Sequence, residues 1–283
     1  MFYLFAGIAV FIIIDMARGY SKANNKQNYL VKNSVVVLGI VTLLFLVGPL
    51  FIISPIKIRY STLKENNVAL FYPKDRIDFA NDIITRVKQA DSDNEDFYGI
   101  TFPMSVLIAT SELDMLRFGS YPYAGGAGTE LGITVREGKA TTNVIAHEIS
   151  HRNLAKLTGK TIPAPNWFNE GLASYIGKMD YYKKPQDLKD DLQNNRYEKD
   201  ILKMRGVLGT VQWLIKIQQG KSKILYGQTY LMVKYLFDTY GKDKIYNFVT
   251  SLKDYDYEKN FIRVFGVSEE QFHQKFMNQL ISS

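Results

Sequence analysis

Residues 143–154 read NVIAHEISHRNL, and two of the chain's three histidines, His147 and His151, lie in this stretch. On an α-helix, residues four positions apart share one face, so the two imidazoles stand one turn apart. Two neutral imidazoles at this spacing can bind one zinc ion, which takes three protein ligands and one water in catalytic sites. Glu148 is then placed to act as general base on that water. The alternative is a pair of ordinary half-buried histidines, and a third ligand would decide.

The third ligand candidate is Glu170, in PAPNWFNEGLASYIG at 163–177. Asn166 is placed to cap a helix that begins at Trp167, and Gly171 would let another backbone come close. Eighteen residues separate His151 from Glu170, enough for a helix end, a turn and an antiparallel helix. Taken alone, Glu170 would be a surface acid. Together with HEISH at this spacing, it is favoured as a metal ligand.

The segments around this motif predict an α+β fold. Short strands are expected at 67–72, 104–110 and 131–135, the last at or near a sheet edge, with an amphipathic helix at 75–90 and a short helix near 112–118. From Ala140 onward the pattern is almost entirely helical, with glycines at several predicted stops. We therefore predict a small mixed αβ lobe over 60–138 and a helical lobe over 139–283, together forming a domain over 56–283.

HEISH, followed after eighteen residues by the glutamate of WFNEGLASY, resembles the signature of the gluzincin metallopeptidases, which include HExxH aminopeptidases and small peptidase MA-like domains. The resemblance implies a thermolysin-like fold. It implies one Zn²⁺ ion bound by His147, His151 and Glu170, with Glu148 as base, and a peptide or protein as substrate. YGQTYLMVKYL, beginning at Tyr226, is similar to the aminopeptidase segment whose first tyrosine stabilises the oxyanion. Tyr226 is the expected residue and Tyr230 the runner-up, although either could be a core tyrosine.

Two departures from the aminopeptidases affect the expected specificity. Glu130, in GGAGTELGITV, falls one position out of register with the glutamate that holds a substrate's free amine in that family. The large amino-terminal β-domain is also missing. We therefore expect an endopeptidase rather than an aminopeptidase, with an extended peptide pairing with the strand at 131–135 by β-addition.

The first 55 residues predict a membrane anchor of two helices. Residues 34–54 contain an uncharged run from Val35 to Ile53, close to the roughly 20 residues that span a bilayer. The opening run MFYLFAGIAVFIII gives a second span over 2–17. A cleaved signal peptide fits it less well, because no basic residue precedes it and no clear cleavage site follows.

Basic residues in the loop between these spans place that loop in the cytoplasm and the catalytic domain outside a cell membrane. Lys57, Arg59 and Lys64 follow the second span and weaken this assignment, so a membrane-integrated protease with a cytoplasmic site is an alternative. The other alternative is a catalytically idle gluzincin-like binding module. The composition, rich in lysine and asparagine and free of cysteine, is typical of a bacterial surface protein.

The absence of cysteine excludes disulfides and thiolate metal sites. The net charge of +7 comes largely from scattered lysines, so we expect a solvated surface near an anionic membrane or wall and no nucleic-acid partner. His273, the third histidine, is expected on the surface, without a functional role. The membrane lipid around the anchor is the other expected partner, and the sequence does not indicate an oligomeric state.

Overall fold

A computed structural model describes residues 16, 18–48, 50–180, 184–194 and 196–282. Apart from Met16, the predicted span at 2–17 lies outside the described residues. The described helices and strands give an α+β fold with one mixed sheet and many helices. The helices are α1 (Lys26–Val47), α2 (Ile77–Tyr98), α3 (Glu112–Arg117), α4 (Thr142–Thr158), α5 (Asn166–Ile176), α6 (Pro185–Gln193), α7 (Gly206–Lys216), α8 (Ser222–Tyr240), α9 (Lys242–Ser251), α10 (Tyr257–Phe265) and α11 (Glu269–Ser282).

The sheet has five strands in the order β1-β2-β3-β5-β4. β1 pairs antiparallel with β2, while β2 with β3 and β3 with β5 are parallel. The parallel β2–β3 pair is joined through α2, as parallel neighbours require a crossover connection. The strands are β1 (Tyr60–Glu65), β2 (Val68–Pro73), β3 (Met104–Ala109), β4 (Gly126–Thr129) and β5 (Gly132–Arg136).

The strands expected at 67–72, 104–110 and 131–135 correspond to β2, β3 and β5. β1 and β4 were not predicted from the sequence, because YSTLKE lacks a strong apolar alternation and GAGT is largely glycine. The order of the strands changes one expectation: β5 lies between β3 and β4, so β4 is the outermost strand on that side. A peptide added to this side of the sheet would pair with β4, not with the strand at 131–135.

The chain divides into two compact units, and the divisions fall within α2 and β4. The sheet unit comprises the described residues up to Ile84, with Pro103–Ala127 and Leu131–Ala140. The helical unit comprises Thr85–Phe102, Gly128–Glu130 and the described residues from Thr141 onward. One division falls between Ala140 and Thr141. The second half of α2 and the end of β4 belong with the helices.

Helix α1 is, within the described residues, the one helix long and apolar enough to cross a membrane. It begins at Lys26, capped by the Asn25 side chain, which accepts from the Asn28 N–H at 3.0 Å. It ends at Val47. Both its first and its last residue therefore come earlier in the chain than those of the predicted span at 34–54. None of its residues is buried. The helix is consistent with membrane association, and a signal sequence shares this length and composition.

An aromatic core fills the helical unit and fixes α5 within it. Trp167 and Phe168 of α5 are fully buried, and Trp167 stacks on Phe272 of α11 at a ring-centroid distance of 5.7 Å. Gly171 lies where α5 crosses α8: a Cβ built there would lie 2.5 Å from the Thr229 carbonyl oxygen and 2.7 Å from Val233 Cγ2. This glycine therefore allows the close backbone approach that the sequence predicted.

Gly171→Ala should lower the free energy of unfolding by about 1–3 kcal/mol, since the methyl group would overpack a rigid backbone contact. At an open helical position the same change would stabilise by about 1 kcal/mol through helix propensity. The sign measured by chemical denaturation therefore separates the two cases. A stabilised variant would contradict the close packing of α5 and α8.

Candidate metal centre

Helix α4 holds His147, Glu148 and His151 inside the helical unit. Its first turn is capped by Thr141, whose side chain accepts from the Val144 N–H, and it ends at Gly159 in the left-handed conformation with φ of 65°. Two side chains of α2 fix its middle: Asn94 Nδ2 donates to the Ala146 carbonyl at 2.9 Å, and the Tyr98 hydroxyl donates to the Ser150 carbonyl at 3.1 Å. The motif therefore lies on a buried helix that two hydrogen bonds from α2 hold in place.

Helix α5 presents Glu170 to the two histidines. It begins at Asn166, with Pro165 in the capping position and no side-chain cap. The expectation that Asn166 caps a helix starting at Trp167 was therefore wrong. The Asn166 N–H donates to the Met204 carbonyl at 3.1 Å, and its side-chain oxygen accepts from the Thr210 hydroxyl at 3.4 Å. Asn166 thus joins α5 to other elements of the helical unit.

The three predicted ligands converge on one point. The Nε2 atoms of His147 and His151 are 3.0 Å apart, and Glu170 Oε2 lies 3.3 Å from the first and 3.4 Å from the second. Ligand atoms about 2.0–2.1 Å from a tetrahedral zinc ion lie about 3.4 Å from one another. The three side chains are therefore spaced as one small metal ion requires, and together they could hold one.

The surroundings of these atoms favour a cation between them. Glu170 Oε2 is buried and has no hydrogen-bond partner. His151 Nδ1 lies 3.0 Å from Asn169 Oδ1, an acceptor that requires the Nδ1–H tautomer. His147 Nδ1 lies 3.4 Å from the Ser174 hydroxyl, which can accept from it. Metal binding requires both rings in the neutral form. In that form each ring directs an Nε2 lone pair at the same point as the carboxylate, and this set of donors fits Zn²⁺.

Glu148 lies beside these ligands without belonging to the converging set. It is 8 % exposed, and its carboxylate accepts a hydrogen bond from the Gly128 backbone N–H. Burial raises its pKa, and the nearby His147 and His151 oppose the rise only in part. A buried carboxylate with a raised pKa holds a proton more readily, as a general base requires.

Glu170 and His151 form a coupled buried pair. Burial opposes ionisation of Glu170, but the neighbouring His151 and His147 outweigh it and hold the pKa of that carboxyl well below its usual range. Burial also opposes charge on His151, yet Glu170 outweighs it and raises the His151 pKa above its ordinary value. Glu170 is therefore ionised throughout the neutral range, as a carboxylate ligand must be.

The two candidate tyrosines lie in different surroundings. The Tyr226 ring is 6.1 Å from the His147 ring and 5.5 Å from the Trp213 ring, centroid to centroid. The Tyr230 ring instead lies 6.1 Å from that of Tyr175. Of the two, the structure brings Tyr226 beside a predicted metal ligand.

The remaining candidates, Glu130 and His273, do not belong to the metal-holding group of the described residues. Glu130 is half-buried, and its Oε1 accepts a hydrogen bond from the Thr161 hydroxyl at 2.8 Å. His273 is half-buried, not on the surface as expected, because it follows the buried Phe272 on α11 and its ring lies 6.4 Å from that of Phe276. Burial lowers the pKa of His273.

Sequence reasoning did not predict Asn169, Ser174 and the Gly128 N–H as parts of the site. Asn169 precedes Glu170 directly, and Ser174 follows one turn later on the same helix face, so helical spacing could have indicated both. Gly128 gives no such signal: a Cβ there would lie 2.3 Å from the Glu148 carbonyl oxygen. That contact depends on tertiary packing.

Asn169→Ala should weaken metal affinity about 10–100-fold, because His151 would lose the acceptor that fixes its tautomer and ring orientation. The matched control is Asn278→Ala on α11, which removes an exposed amide paired with Gln274 and should leave affinity unchanged. Competition titration of the full chain with a metal indicator dye measures both. Equal affinities in the two variants would contradict the role of Asn169.

Comparison with known families agrees with this site. A search of curated protein sequences found no match. The profile of the Peptidase MA superfamily matches residues 119–282, more than half of the chain and all of α4, α5 and α8. Members of this superfamily are typically metal-dependent, and the match suggests a peptidase that acts on peptides or proteins. The chain therefore belongs to the Peptidase MA superfamily.

Proposed function

We propose that the protein is a zinc-dependent metallopeptidase of the gluzincin type that hydrolyses internal peptide bonds. The observation that carries the proposal is the convergence of His147, His151 and Glu170, each within 3.4 Å of the other two, with buried Glu148 beside them. The α+β architecture and the superfamily match support a thermolysin-like arrangement of the domain.

Bound zinc would act as a Lewis acid and lower the pKa of a coordinated water. Glu148 accepts the proton of the attacking water and delivers it to the amine that leaves when the peptide bond breaks. Two features suit it to this cycle. Burial raises its pKa, and the Gly128 N–H orients its carboxylate.

Tyr226 donates its hydroxyl proton in a hydrogen bond to the oxyanion that develops on the peptide carbonyl. A neutral phenol can fill this role because it stabilises negative charge without itself ionising. The ring contact of Tyr226 with His147 supports its assignment over Tyr230. Trp213, which is 3 % exposed and packs edge-on to Tyr226, limits the orientations open to that ring.

Endopeptidase activity is supported by Glu130 and by the sheet order. Glu130 accepts a hydrogen bond from the Thr161 hydroxyl and does not belong to the metal-holding group of His147, His151 and Glu170. Both observations favour an active site in which Glu130 does not bind the free amine of a substrate. β4 is the outermost strand, and its Gly128 touches the helix that carries Glu148. An extended peptide pairing with β4 would therefore pass close to the proposed base.

We further propose that α1 anchors the enzyme in a membrane, with the two-helix hairpin and an extracellular site as the favoured topology. The support is the length and apolar composition of α1 and the basic residues between the two predicted spans. A cytoplasmic site is the alternative topology. A catalytically idle binding module is disfavoured, because a protein that only binds its ligand does not require a buried carboxylate such as Glu148 beside the metal ligands.

Glu148→Gln should reduce hydrolysis by about 10²–10⁴-fold while one metal ion per chain is retained, because the amide cannot take up the proton. The assay uses internally quenched peptides with acetylated amino termini, so that cleavage reports endopeptidase activity alone. Glu270→Gln, which changes an exposed acid on α11, is the matched control and should leave the rate unchanged.

An unaltered rate in Glu148→Gln would eliminate the proposed base. If the wild-type chain bound zinc but cleaved no peptide in a diverse library, the binding-module alternative would replace the enzyme.

Tyr226→Phe should lower kcat by about 10²–10³-fold with little change in KM, since the lost hydrogen bond forms mainly in the transition state. Tyr230→Phe makes the same change four residues later, beside Tyr175, and should leave kcat within a small factor of wild type. Steady-state kinetics on one cleaved peptide tests the pair. The reverse ranking would assign the oxyanion role to Tyr230.

A further inference from the structure

Helix α7 (Gly206–Lys216) exposes an apolar face that nothing in the described chain covers. Leu208 is 78 % exposed, Val211 and Ile215 are each 48 % exposed, and Val207 is 42 % exposed. At 100° per residue these four side chains fall within an arc of about 100°. They form one continuous stripe, which we call the α7 stripe.

The opposite face of α7 is anchored in the helical unit, so the exposure of the stripe is not a consequence of a loose helix. Trp213 is 3 % exposed and packs against Tyr226. Gly209 is buried against Met204, where a Cβ would lie 2.2 Å from the backbone carbonyl carbon. A helix that is apolar on both faces normally has both faces covered. The exposed stripe therefore indicates a binding surface.

The charges around α7 indicate which surface it meets. Residues 201–237 contain six basic residues and no acidic one. Five of the six pair with carboxylates just outside this range or on α10 and α11. Lys203 and Lys221 keep exposed side chains, at 80 % and 45 %, although each has a carboxylate within 4 Å. An apolar helix face flanked by lysine and arginine is the pattern of helices that lie in the interface of anionic bilayers. The other basic residues are Arg205, Lys216, Lys223 and Lys234.

We propose that the α7 stripe docks on the surface of a bilayer that contains anionic lipid. The same chain carries α1, which is long and apolar enough to cross a bilayer. A tether of that kind raises the effective concentration of a small surface patch, so modest affinity is sufficient. A second copy of the chain fits the stripe less well, because four side chains cover far less than the about 800 Å² per partner of a stable dimer.

Docking through α7 would hold the candidate metal centre near the bilayer. The Thr210 hydroxyl of α7 donates to Asn166 at the start of α5, and Trp213 contacts Tyr226. Peptide segments close to a membrane surface would then reach the site first. This consequence rests on the proposed peptidase function, whereas the docking itself does not.

The test uses the full chain, which has no cysteine, so a single introduced cysteine can be labelled selectively. Leu208→Cys carries an environment-sensitive fluorophore, and Val211→Cys is a second labelled position in the stripe. Gln274→Cys, on the exposed side of α11, is the matched control. Each protein is reconstituted in vesicles of phosphatidylcholine with phosphatidylglycerol, with and without phosphatidylcholine that bears a nitroxide high on its acyl chain.

Labels at 208 and 211 should shift to the blue and lose most of their fluorescence to the nitroxide lipid, while the label at 274 should not. In vesicles of phosphatidylcholine alone, or at high salt, the loss of fluorescence should be smaller, because the attraction between basic side chains and anionic lipid is absent or screened. These readouts do not depend on peptide hydrolysis, so they can fail while the proposed function stands.

Three results would overturn the proposal. The first is that, in anionic vesicles, a fluorophore in the stripe is as exposed to water as the fluorophore at position 274. The second is protection that appears only as protein concentration rises, which would assign the stripe to a second copy. The third is protection that appears only when a cleaved peptide is added, which would make the stripe part of the substrate site.

Discussion

The site depends on holding three electron-pair donors together in a buried setting. Two imidazole nitrogens and a carboxylate oxygen lie within 3.4 Å of one another, and burial of such groups without a compensating charge is costly. The scaffold maintains this arrangement from several sides. Asn94 and Tyr98 hold the carbonyls of α4, Asn169 and Ser174 approach the outer ring nitrogens, and Gly171 lets α5 pack closely on α8.

The same arrangement separates the roles of two neighbouring acids. Glu170 faces both histidines, which hold its pKa low and keep it ionised. Glu148 is buried with only partial compensation, so its pKa is raised. Two carboxyl groups whose environments move their pKa values in opposite directions are suited to different tasks. Here one suits a metal ligand and the other suits a base, and the difference arises from position and not from residue type.

Local sequence patterns could predict much of this molecule. Helical spacing placed the histidines on one face, and periodicity located β2, β3, β5 and the helical character beyond residue 140. Expectations failed where tertiary context decided. Glycine-rich β4 carries no alternating pattern of apolar side chains. β4 also pairs with the outer edge of β5, so β5 does not form the edge of the sheet. Asn166 accepts a hydrogen bond from Thr210 instead of capping the helix. The contact between Gly128 and Glu148 joins positions 20 apart in sequence, which no local window detects.

The proposed function depends on His147, His151 and Glu170 together holding one zinc ion. Anomalous diffraction from crystals of the zinc-supplemented protein, recorded above and below the zinc absorption edge, tests it most directly. We expect one strong zinc peak per chain, about 2.0–2.1 Å from His147 Nε2, His151 Nε2 and a Glu170 carboxylate oxygen. The absence of a peak between these three atoms, or a peak held by other residues, would contradict it.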